Sequence, residues 1–319
     1  MRTRPLGRTT LLVSELGFGA APLGDEYGTI DPRAGERAVA AAIDSGINFF
    51  DVAPYYGRTL AEERLGRWLE GKRDRVVLST KVGRYDRDLP HGFDFSAARV
   101  VRSIDESLRR LRTDVIDLYI AHDIEFGRRD VVLGETLPAM RALQQQGKVR
   151  FIGVSGFPLE HLRDVADAGG VDVILSYCHC DLLNTRLRAV LAPFAAPRGI
   201  GLINASVLHM GVLTRAGPPP WHPAPAHVLQ AARDAADWCT ARGADIAELA
   251  LSFALSCGGV ATTLVGMRSE EQVRANLRAR VTEPDAELRA GVRARLASVQ
   301  DIEWSSGLPE NNPEPALCA

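Results

Sequence analysis

The chain has 319 residues, 46% of them hydrophobic and 24% charged, with a formal net charge of −2. This is an ordinary globular composition without the basic field that nucleic acid would require. No apolar run approaches a membrane span, the N-terminus has no secretory apolar core, and five cysteines without paired spacing point to a reducing, cytoplasmic setting.

Leu6 to Ser14 reads as a hairpin with Gly7-Arg8 near its turn, and Leu16-Gly-Phe-Gly as a first short strand. From there two kinds of segment alternate. Apolar runs lie near 47–51, 75–80, 115–121, 149–154, 171–177, 199–205 and 260–265. Amphipathic stretches lie near 33–45, 60–70, 97–112, 131–146, 158–168, 185–195, 245–256 and 269–280. Short buried runs alternating with helices predict a parallel sheet. Eight repeats without a linker predict a closed α/β (β/α)8 TIM barrel, one domain over residues 1–319, with an N-terminal β-hairpin and extra C-terminal helices.

Two segments stand outside the repeat. Residues 216–242 begin Gly-Pro-Pro-Pro-Trp-His-Pro after Ala216, a top-face loop, and continue as a helix ending at Gly243. From Thr282 a helix runs to about Val299, followed by the polar tail Ser305-Ser-Gly-Leu-Pro-Glu-Asn-Asn-Pro-Glu-Pro. That tail either hangs free or folds over the top face.

Such barrels carry their chemistry at the C-terminal ends of the strands. The second strand ends in Asp51, and Tyr56 follows on its loop in N-F-F-D-V-A-P-Y-Y-G. The third ends in Lys81. Lysine otherwise occurs only at Lys72 and Lys148, both in polar turns, and every other member of the 38 Lys and Arg residues is Arg. A compact ammonium at position 81 is therefore a choice that a guanidinium does not satisfy. The fourth strand ends in His122 and the fifth in Ser155-Gly156. Singly, Asp51 reads as a helix cap and His122 as a packed side chain. Together, a carboxylate, a phenol, an amine and an imidazole converging on one mouth read as a catalytic set.

The chemistry follows from residue type. A tyrosine titrates near pH ~10, too high for a base at neutral pH, and a neighbouring ammonium favours its phenolate. Lys81 supplies that charge, Asp51 aims it, and His122 hydrogen-bonds the same substrate oxygen. The set moves one proton on a carbonyl or carbinol oxygen. Its matching half-reaction is hydride transfer, which needs a nicotinamide.

Asp51–Tyr56, Lys81, His122 and Gly153-Val-Ser-Gly-Phe resemble the aldo-keto reductase superfamily over essentially the whole chain. Asn48–Gly57, Gly92-Phe-Asp-Phe-Ser-Ala-Ala-Arg-Val, His122-Asp-Ile-Glu-Phe-Gly, Val171-Asp-Val-Ile-Leu-Ser-Tyr-Cys-His and Pro219-Pro-Trp-His-Pro-Ala resemble its sugar-oxidising branch. The resemblance implies an NAD-dependent sugar 1-dehydrogenase that oxidises the anomeric carbon of L-galactose, or a related aldose such as L-fucose, to the lactone. It implies Tyr56 as the general base, with Asp51, Lys81 and His122 as its catalytic partners. The implied cofactor residues are Gly19, Ser155, Gly156, Ser206, Leu208, Gly211, Gly266, Arg268, Gln272 and Asn276. The implied substrate residues are Tyr27, Asp123, Trp221 and His222.

The chain departs from the commoner family pattern at several cofactor positions. Gly156 stands where many members have Asn, and Ala205 where many have a stacking aromatic. Gly266 and Gln272 replace the cations that grip a 2′-phosphate, which favours NAD. Arg268 stands against this, because a guanidinium there could still reach a 2′-phosphate. Two rival readings are an NADPH-dependent aldehyde reductase and a nicotinamide-binding regulatory subunit with little turnover. The intact tetrad argues against the second. Gly17-Phe-Gly19 does not continue as a dinucleotide fingerprint. Cys178-His179-Cys180, read as strand, alternates faces and gives no metal set.

Overall fold

The computed structural model describes residues 1–87, 91–281 and 285–313. Eight parallel strands close into a barrel in the order β10-β3-β4-β5-β6-β7-β8-β9. They are β3 (Leu16–Gly19), β4 (Phe49–Asp51), β5 (Val77–Val82), β6 (Ile116–Ala121), β7 (Val149–Gly156), β8 (Val173–Tyr177), β9 (Gly201–Ala205) and β10 (Thr262–Gly266). All eight lie on the apolar runs, because only segments buried on both faces need be apolar at every position.

The hairpin consists of β1 (Thr3–Pro5) and β2 (Leu12–Ser14), and Gly7-Arg8 lie at its turn, where Thr9 N donates to Leu6 O at 3.2 Å. Leu6, Leu11 and Val13 of this hairpin share a buried cluster with Phe49, Leu118, Ile120, Val173 and Ile203 of the strands. A second cluster lies between strands and helices and includes Leu65, Ile104, Leu162 and Leu191.

The helices are α1 (Pro32–Asp44), α2 (Leu60–Trp68), α3 (Ala97–Leu111), α4 (Arg129–Val131), α5 (Leu137–Gln145), α6 (Leu159–Gly169), α7 (Arg186–Arg198), α8 (Ala226–Thr240), α9 (Ile246–Leu255), α10 (Glu270–Val281) and α11 (Ala286–Leu296). Local signals start several of them. Asp31 caps α1 by accepting from Arg33 N with Pro32 at its first position, and Ser96 caps α3 by accepting from Arg99 N. The helix predicted near 131–146 is less regular than its pattern: α4 passes through a π-helical turn, Val132–Thr136, before α5. There Thr136 Oγ1 donates to Phe95 O. Among the described residues no helix is long and apolar enough to cross a membrane.

The tail does not hang free. After α11, Asp301 accepts from Thr185 N at 2.6 Å, and Glu303 Oε1 lies 2.9 Å from His179 Nε2. Trp304 stacks on Phe157 at 4.3 Å, Ser306 donates to Glu125 at 3.0 Å, and Asn311 Nδ2 donates to the carbonyls of Glu125 and Gly127. These partners follow β6, β7 and β8, so the segment lies across the top face. Thr282 and the final Glu314-Pro315 lie outside the described residues.

Candidate active site

Strand ends bring the four predicted groups together. Asp51 closes β4 and Lys81 lies in β5, both nearly inaccessible to water. Lys81 Nζ donates to Asp51 Oδ2, to Val52 O at 3.0 Å and to the Tyr56 hydroxyl at 3.2 Å. The Tyr56 loop is held by close backbone contact with the loop after β3. A Cβ on Gly57, at φ +63°, would meet Gly24 O at 2.2 Å, and one on Gly24 would meet Tyr56 O at 2.5 Å. Only paired glycines allow that approach. Gly57 N further donates to Glu26 at 2.9 Å. The His122 ring stands edge-on to Tyr56 at 5.8 Å.

The electrostatics refine the expected role of Lys81. Burial, then the carboxylates Asp51 and Asp123, hold the Tyr56 hydroxyl well above its usual range, with Arg84 working against them. The ammonium therefore does not by itself produce a phenolate, because its charge is matched by Asp51. Burial likewise raises Asp51 above the usual carboxylate value, partly offset by Lys81. Burial pushes His122 down to about 3, so its imidazole is neutral at working pH and serves as a hydrogen-bonding group. Its Nδ1 has no hydrogen-bond partner among the described residues.

These groups face a cavity of about 390 Å³. Of the predicted residues, Tyr27, Asp123, Trp221, Ser155 and Ser206 line it beside Asp51, Tyr56, Lys81 and His122. His222 does not. Its Nε2 donates to His209 O and its Nδ1 accepts from Ala224 N, so both nitrogens brace the Pro-rich loop whose Trp221 reaches the cavity. A larger groove of about 560 Å³, lined by Arg215, Thr240, Asp245, Glu248 and Asp285 among others, contains none of the tetrad.

The remaining predicted cofactor positions are not among the residues lining the cavity. Gly19 is packed against Val265 O at the β3–β10 seam, and Gly156 against Glu125 Oε2, which a Cβ would meet at 2.4 Å. An Asn at 156 has no room here. Leu208 O closes the turn after β9 by accepting from Gly211 N at 2.9 Å. Gly266 ends β10. Gln272 Oε1 accepts from Arg268 N at 3.0 Å, while Arg268 Nη1 reaches Tyr27 O at 3.0 Å. Asn276 follows Gln272 one turn along α10.

Arg84, Arg87, Glu26, Tyr55, Tyr177 and Met210 also line the cavity and were not predicted. Arg84 and Tyr177 could have been found by the rule that found Lys81, since both fall at or just past a strand end.

Cys178-His179-Cys180 is not strand. Cys178, at φ +61°, turns the chain just after β8, so alternation does not apply. Cys180 is bonded to Cys257, 77 positions away, a pairing that spacing does not reveal. Cys178, Asp181 and His209 come within 4.8 Å of one another. Asp181 is already committed, to Leu183 N, Asn184 N and His209 Nδ1, and burial raises the Cys178 thiol.

Comparisons with known proteins agree with this geometry. The model of the aldo/keto reductase family matches residues 15–292. The chain is 44% identical to an L-galactose dehydrogenase of Arabidopsis thaliana, covering 97% of this chain and 98% of that one. It is 32% identical to a pyridoxal 4-dehydrogenase of Microbacterium luteolum, over 86% and 91% of the two chains. It is 30% identical to a D-arabinose 1-dehydrogenase of Saccharomyces cerevisiae, over 93% and 95%. The solved holo form of an aldo-keto reductase from Bacillus halodurans superposes with a TM-score of 0.77 at 28% identity, covering 98% of this chain and all of that one. The chain belongs to the aldo/keto reductase family and is an NAD(P)-dependent oxidoreductase acting on CH–OH groups.

Proposed function

We propose that this protein is an NAD-dependent aldose 1-dehydrogenase that oxidises the anomeric carbon of L-galactose, or of a related aldose such as L-fucose, to the lactone. The observation that carries the reading is the Lys81–Tyr56 hydrogen bond beside a neutral His122, in a cavity that Glu26, Arg84, Arg87 and Asp123 also line. The full-length similarity to sugar dehydrogenases supports it.

Tyr56 is the proton-transfer residue. It acts as the phenolate, formed when its hydroxyl releases its own proton to solvent; that oxygen takes the proton of the anomeric hydroxyl, Lys81 stabilises the phenolate before the transfer, and Asp51 holds Lys81 in place. Neutral His122 fixes the sugar oxygen through a ring nitrogen. The nicotinamide, when bound, accepts the C1 hydride. The residues present suit it: Ser155 Oγ makes only two long contacts, each 3.4 Å, and so is free to hold a carboxamide. Ser206, Leu208, Gly211 and Gly19 join it in holding the cofactor, with Gly266, Arg268, Gln272 and Asn276 at the adenosine end.

The preference for NAD rests on three features. Gln272 is spent on its own loop, and Glu271 in the first turn of α10 opposes a 2′-phosphate, Glu270 being paired with Arg274. Arg268 is engaged by Tyr27 O. Purified protein is to be incubated with a panel of aldoses and either NAD⁺ or NADP⁺, following reduced-cofactor absorbance. Turnover with L-galactose-like sugars and NAD⁺ is expected. Activity confined to NADPH and small aldehydes would support the rival reductase instead. In the same assay Tyr56→Phe is expected to lower kcat by about 100-fold or more; near-normal turnover would refute the role given to Tyr56.

A further inference from the structure

Beside the tetrad the cavity holds a second ion pair. Arg84 Nη1 lies 2.6 Å from Asp123 Oδ2, and the Asp123 side chain is only 4% exposed. Taking two charges out of water makes a pair of this kind a poor source of stability. Its position at the cavity wall, three residues beyond Lys81 and one beyond His122, points to recognition instead.

The geometry is fixed from both sides. Asp123 has φ +52°, in the left-handed region that a non-glycine residue enters at some energetic cost. That turn breaks the alternation of a strand, so two consecutive side chains, His122 and Asp123, both line the cavity. Arg84 is clamped flat on the Tyr55 ring at 3.9 Å, and Tyr55 stands edge-on to both Tyr56 and His122. Among the described residues, the buried Arg84 Nε has no hydrogen-bond partner. The pair therefore offers a fixed acceptor and a fixed donor side by side.

Distance selects what they meet. Asp123 Oδ2 lies 3.8 Å from His122 Nε2, the nitrogen on the side facing that carboxylate. An oxygen held by His122 places its neighbour on the next carbon within reach of Asp123. We propose that the Arg84–Asp123 pair reads the hydroxyl on the carbon adjacent to the one oxidised, the 2-hydroxyl of an aldose. Asp123 accepts its proton and Arg84 donates to its oxygen. This rests on the aldose reading above. It makes Arg84 a specificity residue alongside Asp123, and it assigns the pair a single hydroxyl.

The test compares kcat/KM for L-galactose, 2-deoxy-L-galactose and L-fucose, which lacks the 6-hydroxyl, in wild type, Asp123→Asn and Arg84→Met. Wild type is expected to prefer L-galactose over the 2-deoxy sugar by about 10- to 100-fold, as for a hydrogen bond to a charged group. Each variant is expected to lose more activity on L-galactose, chiefly through KM, than on the 2-deoxy sugar. The ratio then collapses to within about threefold, while the L-galactose to L-fucose ratio stays put. Asp123→Asn is nearly isosteric and guards against a folding artefact in Arg84→Met. Equal losses on all three sugars, an unchanged 2-deoxy ratio, or a collapse of the L-fucose ratio instead would overturn the assignment. A wild-type protein that oxidises none of the sugars would overturn the aldose reading itself, and this assignment with it.

Discussion

Glu125 offers a quantitative test of how the top of the barrel is held. Its side chain is fully buried behind Gly156, and one oxygen, Oε1, accepts from Phe157 N at 3.1 Å, Tyr177 Oη at 3.2 Å and Ser306 Oγ at 3.0 Å. The other oxygen has no hydrogen-bond partner among the described residues. Burial, then the charge of Asp123, pushes this carboxyl from 4.5 up to about 8. The folded state thus keeps a proton that the unfolded chain releases, and stability falls as pH rises from about 4.5 to about 8. At about 1.4 kcal/mol for each tenfold change in proton affinity, the full interval is worth on the order of 5 kcal/mol. Glu125→Gln keeps the shape and cannot ionise, so it escapes the loss. Its stability relative to wild type is expected to improve by about 3 kcal/mol between about pH 5.5 and about pH 7.5. Urea unfolding of both proteins at the two pH values measures this directly. A relative stability that stays constant within about 0.5 kcal/mol would refute a protonated, buried Glu125.

The Asp51–Lys81 pair makes a different prediction. Lys81→Met leaves a carboxyl stranded in the barrel and is expected to destabilise by about 3 kcal/mol or more, whereas adding Asp51→Asn restores most of the loss without restoring turnover. Urea midpoints that are equal for the single and double variants would contradict the coupling. Trp304 packs on Phe157, His209 and His222, and so ties the tail to the loop carrying Trp221. Trp304→Ala is expected to lower stability by about 2 kcal/mol or more. It should also raise KM for the sugar severalfold and leave the dissociation constant for NAD⁺, read by fluorescence titration, unchanged. Weakened NAD⁺ binding would show that the strap serves the cofactor instead.

The sequence alone determined the barrel and its tetrad, and the reason is locality. Each strand is a short apolar run, each helix an amphipathic one, and Asp51, Lys81 and His122 stand at or near the ends of their strands, so counting repeats already placed them around one mouth. Tertiary structure decided everything that depends on the path of a loop. A left-handed residue at Asp123 turned a strand-end neighbour into the cavity, while another at Cys178 undid an argument from alternation. His222 sits one residue from Trp221, yet its nitrogens are consumed by backbone groups that no spacing rule identifies. The Cys180–Cys257 bond and the docking of Ser306 on Glu125 join residues 77 and 181 positions apart. Such contacts depend on how distant segments pack together, and residue order gives no distance between them until the chain has folded.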